Sequence, residues 1–243
     1  MEKFRESRKN GLLITAILIV MMMITTKTKA IDTNPVHDPC SDAKVQRWDG
    51  FTFALAFSSK ESFYAQTPDH VQLSPCDSRL QLANVAQVAV FRPQVDEISL
   101  LTVNSTSSPD TTGGYMVAFA GRAYAARSLP VFVADGNITI TTFSLVLEFE
   151  KGTLQNLYWK TFGCDSCKND QVCHENQQCA VQSSMCKEKG GSIDCTISIQ
   201  LTFSGTDKNG EVLNSWYELK NMRRFSLFSL FAGLQNTFTN GLL

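Results

Sequence analysis

Cysteines are the densest group of reactive side chains in this sequence. Six of the eight lie between Cys164 and Cys195, in a run otherwise rich in Lys, Asn, Gln, Ser and Gly. Thiols at this density either bind a metal or pair as disulfides. The spacing Cys164-x-x-Cys167 suits zinc, and Cys173 with His174 would complete the ligand set, but no second short Cys-x-x-Cys follows. Because so polar a run cannot bury enough apolar surface to order itself, we expect disulfides, with no metal and no other cofactor.

Two cysteines stand apart from this run. Cys40 follows a polar lead-in and Cys76 lies in a Ser-Pro turn, so we predict that they pair with each other. The spacing inside the run selects no single set of pairs. The predicted disulfide cysteines are Cys40, Cys76, Cys164, Cys167, Cys173, Cys179, Cys186 and Cys195.

Paired carboxylates are the second arrangement with catalytic potential. Glu148 and Glu150 lie two positions apart on a predicted strand, so both project from one face, and glycoside hydrolysis uses two such groups. Leu147 and Phe149 occupy the opposite face, which favours a simpler interpretation of the glutamates as the solvated side of the strand. No G-x-S-x-G or H-E-x-x-H motif is present, and the three histidines lie in predicted loops. We therefore predict no catalytic residue.

Aromatic rings offer a third kind of site, because a ring face can stack on the apolar side of a sugar. The candidates are Trp48, Trp159, Trp216, Tyr158 and Tyr217. Most aromatic residues at strand positions belong to a core. In the predicted strand Glu211–Leu219, Tyr217 and Leu219 define the inward face, so Trp216 should point outward. Trp216 is the predicted ligand-binding residue.

The elements that must position these residues are mainly strands. Large apolar residues alternate with small or polar ones in at least eight short segments, of which Trp48–Phe57, Ile138–Glu150 and Ile197–Phe203 are the clearest. This spacing predicts a mainly all-β fold, an antiparallel β-sandwich or barrel. The cysteine-rich insert at 163–195 becomes a disulfide-rich excursion between two strands. From Lys220 to Leu234 the apolar period lengthens, which predicts a short C-terminal helix.

The N-terminus indicates the secretory pathway. Residues 1–30 carry a basic start, an apolar stretch and small residues at a plausible cleavage site, which predicts a signal peptide, with a retained membrane anchor as the alternative. The rest, 31–243, is predicted to be one domain. The sequons at Asn104 and Asn137 predict N-glycosylation. Removing residues 1–30 takes six Lys or Arg from 22 and two Glu from 23, leaving a net charge of about −5, which argues against nucleic-acid binding.

Several stretches together resemble the Expp-type family of plant secretory-pathway proteins. They are Ala43–Ser62 around Arg47-Trp48-Asp49-Gly50, Leu73–Leu80, Phe91–Val103, Tyr115–Pro130, Leu145–Lys160 and Gly190–Leu219. The similarity covers most of the chain after the signal peptide. It implies a plant source and a secretory route, and it transfers no catalytic residue.

These observations favour a secreted glycoprotein that binds cell-wall carbohydrate without catalysis, in the apoplast or cell wall. One alternative is an extracellular interaction or signalling protein whose partner protein binds the cysteine-rich insert. Another is a wall-modifying enzyme that uses carboxylates. Retention in the Golgi or at a membrane is the alternative location.

Overall fold

A computed structural model describes residues 31–80, 82, 84–103, 113–123, 126–165, 167 and 171–224. The predicted signal peptide, the sequon at Asn104 and the apolar stripe beyond residue 224 lie outside the described residues. Within them the chain is mainly β-structure with one short helix, as predicted. The elements are β1 Phe53–Ser58, β2 Gln87–Phe91, β3 Ser99–Val103, β4 Tyr115–Phe119, β5 Val131–Phe132, β6 Ile138–Ile140, β7 Thr142–Glu150, β8 Thr153–Lys160, β9 Gln171–His174, β10 Gln178–Gln182, β11 Ile197–Thr206, β12 Val212–Leu213 and α1 Ser215–Arg224.

Three sheets are present in the described residues. Sheet 1 has the order β2-β1-β4-β5, and sheet 3 has the order β6-β10-β9. Sheet 2 has the order β12-β11-β7-β8, with β3 paired to the first half of β11. Most pairs are antiparallel, but β7 and β11 are parallel from Ser198↔Thr142 to Gly205↔Phe149. A parallel pair needs a crossover, and the cysteine-rich insert lies within it.

The main core lies between sheets 1 and 2. Phe53, Leu55 and Phe57 of β1 face the alternating large residues of β7 and β11, and all are buried in one cluster. Phe51 meets Phe149 edge to face with ring centroids 5.0 Å apart, and Phe149 contacts Phe203 at 6.1 Å. The period-two pattern in the sequence is thus the pattern of this interface.

The other face of sheet 1 is also buried, which explains why β1 alternates large with small residues. Ala54 and Ala56 lie beneath Phe63 in a second apolar cluster. The disulfide between Cys40 and Cys76 lies against the same cluster and fixes the segment that covers the sheet. Small side chains on this face let that segment approach closely.

The predicted strand over Glu211–Leu219 is wrong in extent. Only Val212–Leu213 pairs with β11, and the helix begins at Ser215. Asp96 Oδ1 accepts hydrogen bonds from the N–H groups of Asn214 and Ser215, 2.7 and 2.8 Å away. A distant carboxylate therefore binds the otherwise unpaired N–H groups at the helix start, which the local alternation does not indicate.

Candidate functional site

Every cysteine is in a disulfide. Cys40 is bonded to Cys76, the partner assigned from the sequence. The insert contains three bonds, Cys164–Cys173, Cys167–Cys179 and Cys186–Cys195. The thiolates that the zinc alternative requires are therefore bonded to sulfur. Four disulfides indicate an oxidising, extracellular or secretory environment.

The insert is more ordered than an irregular excursion. Its β9–β10 hairpin pairs with β6, and two of its disulfides tie this hairpin to the residues that precede it. His174 ends β9 instead of lying in a loop, and its ring stacks on Phe132 with centroids 4.7 Å apart. In the described residues no helix is long and apolar enough to cross a membrane.

The glutamates of the enzyme alternative lie on the solvent side of β7. Glu148 and Glu150 are exposed on either side of the buried Phe149. Both side chains therefore belong to the solvated side of the strand.

Three of the five aromatic candidates lie in different environments. Trp159 faces the core, contacts Phe143 and donates its indole N–H to Ser128 Oγ at 2.9 Å. Tyr217 is 56% exposed, so its predicted inward orientation is wrong, because these residues form a helix. Trp216 is half-buried. Its neighbours Lys160 and Phe162 lie at the end of β8 and just beyond it, and a polar cleft opens on the same sheet.

That cleft begins with a row of hydroxyl groups across three neighbouring strands of sheet 2. Ser198 of β11 is the register partner of Thr102 on β3 and of Thr142 on β7. Register partners in a sheet project from the same face, and here it is the face away from the main core. Thr102 and Thr142 are exposed, and Ser198 is half-buried.

Three further residues complete the cleft, whose volume is about 530 Å³. Thr141 precedes β7, and Asp194 and Thr196 precede β11. Each of the six lining residues carries a hydroxyl or a carboxylate. The disulfide Cys186–Cys195 ties down the segment between Asp194 and Thr196. The Thr196 hydroxyl and N–H both bond to Asp194 and hold the pKa of its carboxyl below the ordinary value, so Asp194 is an ionised acceptor at neutral pH.

Helix α1 packs against β11, and Thr102 and Thr142 on the neighbouring strands remain exposed. Leu219 of α1 is buried, and so are Val146 and Thr202 of the sheet. Trp216 extends toward β8, the strand at the edge of the sheet. Its ring centroid lies 6.3 Å from that of Phe162 and 5.8 Å from Lys160 Nζ. Lys160 is the register partner of Ser144, one step along the same face from Thr142. Lys160 thus projects from the same face of sheet 2 as the hydroxyl row, and Trp216 and Phe162 lie beside Lys160.

The sequence does not predict the threonines and the serine of the cleft. It predicts an outward Trp216 from a strand, whereas the structure has Trp216 in a helix. The available signal was the polar alternation in β11, where Ser198, Gln200 and Thr202 share a face. Sequence alone does not show that β3 and β7 align their own hydroxyls with Ser198, because that alignment depends on the register of distant strands.

The second sequon is accessible. Asn137 is exposed in the turn before β6, and its backbone carbonyl accepts a hydrogen bond from Ser183 N–H at 2.8 Å. Thr139, the third residue of the sequon, bonds through its hydroxyl to Ser183 Oγ at 3.0 Å. The asparagine side chain therefore lies at the surface of a well-fixed turn.

The model of one protein family matches almost the whole chain. The family is described as "Uncharacterised protein DDB_G0273449", and it matches residues 12–139 and 129–240. No curated protein and no solved structure matches the chain.

Proposed function

The chain belongs to the family described as "Uncharacterised protein DDB_G0273449", a description that states no activity, and from the geometry we propose that it is a secreted glycan-binding domain. The glycan lies on the outer face of sheet 2, in the cleft between Thr102, Thr142 and Asp194. Cell-wall polysaccharide is the first ligand to test.

The observation that carries this proposal is the all-polar lining of the cleft. A hydroxyl both donates and accepts hydrogen bonds, which matches the hydroxyls of a sugar, and Asp194 adds a strong acceptor. The volume of about 530 Å³ falls in the range of ligand pockets, and it suits one or two sugar rings. Lining residues on rigid strands keep their positions without a ligand, which limits the entropy that binding costs.

Two neighbouring aromatic rings support the same class of ligand. Trp216 and Phe162, which is 40% exposed, offer apolar ring surface around Lys160, which shares the outer face of sheet 2 with the polar row. A glycan that extends out of the cleft would place the apolar face of a sugar on these rings. Lys160 lies against Trp216 and adds a hydrogen-bond donor at the junction.

Separate observations support the proposed location. The four disulfides indicate an oxidising compartment, and the N-terminal pattern predicts entry to the secretory pathway. We place the protein outside the cell, in the apoplast or cell wall, with an N-linked glycan on Asn137. Treatment with an N-glycosidase should lower the mass of the unaltered protein more than it lowers the mass of Asn137→Gln. Equal mass changes in the two proteins would contradict a glycan on Asn137.

The binding proposal is tested on a glycan array with residues 31–243 secreted from a eukaryotic host. The decisive variant is Thr102→Val/Thr142→Val/Ser198→Ala, which removes three hydroxyls and keeps strand-compatible side chains. Each lost hydrogen bond is worth about 1 kcal/mol, so affinity should fall at least about tenfold. Thr67→Val, an exposed threonine in a distant loop, is the matched control. Full retention of binding by the triple variant would contradict the proposal.

A second candidate function is recognition of a protein by the β9–β10 hairpin. Two disulfides hold the hairpin rigid, and Val172 is 39% exposed on β9, an edge strand of sheet 3 in the described residues. Edge strands accept a further strand from a partner. A blank glycan array from folded protein, together with a captured extracellular partner that Val172→Thr weakens, would favour this candidate.

A further inference from the structure

Strand β2 is an edge strand of sheet 1 in the described residues, and the side chains on its outer face are apolar. Val88 and Val90 are 54% and 55% exposed, although both lie in the middle of the strand. Their register partners on β1 are Ala56 and Ala54, which are buried in the cluster of Phe63. The segment that covers this face of the sheet therefore ends before β2 and leaves the two valines uncovered.

The backbone of β2 also directs hydrogen-bonding groups away from the sheet. Phe51 N–H donates to the Pro93 carbonyl at 2.9 Å, and this bond continues the register of β1 with β2. Bonded pairs recur at every second residue of an antiparallel ladder. Ala89 lies an even number of residues before Pro93, so its N–H and carbonyl turn toward β1. Val88 and Val90 turn theirs outward, where no other strand of the described residues pairs with them.

This edge lacks the features that usually prevent strands from associating. Residues 85–91 read Val-Ala-Gln-Val-Ala-Val-Phe, without a charged residue or a proline. The register from Phe53↔Phe91 to Phe57↔Gln87 runs without a shift. The opposite edge of sheet 1 is protected, because β5 is only two residues long and Pro130 precedes it. An uncharged edge strand rich in β-branched residues is a site to which another strand adds.

The β2 strand of a second copy fits this edge. In an antiparallel pairing about a two-fold axis at Ala89, Val88 of one copy lies opposite the partner's Val90. Each such pair exchanges two backbone hydrogen bonds, so the outward N–H and carbonyl groups of all the valines are satisfied. The valine side chains of both copies then meet on the outer face and bury one another. Valine opposite valine is a favourable cross-strand pair.

The distribution of charge also favours a second copy over a foreign strand. Arg92, which follows β2, would lie opposite the partner's Ala86, so the cation does not meet its own symmetry mate. Arg92 is moreover paired with Asp32 at 2.7 Å. No charged side chain of β2 would select the sequence of a different protein, and specific recognition of a foreign strand needs such groups or side-chain pockets.

We propose that the protein forms a symmetric homodimer in which the β2 strands of two copies pair and join their copies of sheet 1 into one continuous sheet. The pairing closes after two copies, because the two-fold contact uses the same edge of each. The axis of an antiparallel pair is perpendicular to the sheet, so both copies of sheet 2 lie on the same side of the joined sheet. Both hydroxyl clefts then open in one direction and bind one polysaccharide surface together. This last step rests on the proposed function, and the dimer itself does not.

Sedimentation equilibrium of residues 31–243, secreted from a eukaryotic host, tests the dimer. One strand pair is a small interface, so we expect a dissociation constant of about 1–100 μM. Val88→Lys/Val90→Lys keeps extended side chains and sets like charges opposite each other, so the dissociation constant should rise at least about 100-fold. Val172→Lys/Val212→Lys replaces two exposed valines on β9 and β12 and should dimerise like the unaltered protein.

Amide hydrogen exchange on the unaltered protein tests the pairing without a mutation. Exchange of the Val88 and Val90 N–H groups should slow as the concentration rises through the dissociation constant, because these groups are bonded in the dimer alone. The Ala89 N–H bonds to β1 and should exchange equally slowly at every concentration. This measurement decides the question if the lysine variant unfolds at a lower temperature than the unaltered protein.

Several results would overturn the proposal. They are a protein that stays monomeric above the expected concentration range, a dimer that the two lysine variants weaken equally, and exchange at Val88 and Val90 that does not depend on concentration. Open assemblies larger than a dimer would also contradict it, because two-fold pairing closes. A monomer that captures an extracellular protein only when Val88 and Val90 are intact would assign the edge to a foreign strand.

Failure of the dimer and failure of the hydroxyl cleft are distinguishable. Val88→Lys/Val90→Lys should bind a short glycan that fills one cleft like the unaltered protein. Its binding to the immobilised polysaccharide should weaken at least about tenfold, because the second cleft is lost. Thr102→Val/Thr142→Val/Ser198→Ala should weaken both kinds of binding and remain a dimer. Weaker binding of the short glycan by the lysine variant would contradict the separation of the two surfaces.

Discussion

The two ends of sheet 2 use opposite physical means to fix polar groups. At the start of β11, Ser198 and its neighbours present neutral hydroxyls to solvent and depend on strand register for their positions. At the end of β11, Asp207 is fully buried and accepts N–H groups from Arg47, Asn209 and Glu211 at 2.8–2.9 Å. The two ends are roughly 30 Å apart, given the rise of about 3.3 Å per strand residue.

This difference separates positions that carry stability from positions free for binding. Exposed hydroxyls lose little free energy of folding when replaced, because water already satisfies them. A buried carboxylate with several donors loses a great deal, because its removal leaves those donors unpaired. Mutations of the exposed hydroxyls should therefore change ligand binding, and mutations of the buried carboxylates should change the free energy of unfolding. The effects of the two kinds of mutation should add.

The largest expected effect is at Asp96. Asp96→Ala removes the acceptor for the Asn214 and Ser215 N–H groups and the ion-pair partner of Arg47. Breaking a buried pair costs about 3–5 kcal/mol, and because Arg47 is partly exposed we expect about 3 kcal/mol of unfolding free energy to be lost. Urea unfolding followed by tryptophan fluorescence measures this loss.

Asp77→Ala is the control for Asp96→Ala. It also removes a carboxylate paired with an arginine, but Asp77 and Arg79 lie on the surface and interact only two residues apart. We expect no measurable change in its urea midpoint. Comparable midpoints for the two variants would show that Asp96 is not structural and would remove the contrast between the ends of the sheet.

The sequence predicted the mainly β architecture because alternation in β1, β7 and β11 is a local signal of a half-buried strand. It also assigned Cys40 to Cys76. It missed the parallel pairing of β7 with β11, which depends on packing of segments about 55 residues apart. The pairing requires glycine at position 205, because its φ is 94° and a Cβ there would lie 1.9 Å from the Phe149 carbonyl oxygen. This requirement comes from the neighbouring strand, so the sequence of β11 does not reveal it.

The candidate sites were harder to predict for the same reason. Trp216 was selected as an outward residue of a strand, and the structure has it in a helix whose start is bonded to Asp96. The hydroxyl row needs three strands in register. The resemblance to the Expp-type family and the plant source remain predictions.

The disulfide Cys186–Cys195 gives the next expected effect, and it should act on the hydroxyl end alone. Cys186→Ala/Cys195→Ala opens a loop with a sequence separation of 9, which should lower the unfolding free energy by about 2–3 kcal/mol. It also frees the segment that carries Asp194 and Thr196, so binding of the array-identified glycan should weaken several-fold. Glycan binding that stays unchanged in this variant would show that the bond does not position Asp194 and Thr196.

The smallest expected effect is the pH dependence of the stability that Asp207 contributes. The burial of Asp207 raises its pKa, but the N–H groups of Arg47, Glu211, Asn209 and Gly210 outweigh burial and bring the pKa below its ordinary value. The charged form is therefore favoured by folding, and its contribution is present above the unfolded pKa of about 3.9 and lost as pH falls through the lower folded pKa. Asp207→Asn should cost about 1–2 kcal/mol at neutral pH, since Arg47 N–H loses its acceptor. That cost should shrink below about pH 4.

Urea unfolding at a series of pH values measures this cost. The control is the exposed Glu148→Gln, which should differ little from the unaltered protein at every pH. A cost that does not vary with pH would mean that the shape of the Asp207 side chain, and not its charge, holds this end of the sheet together.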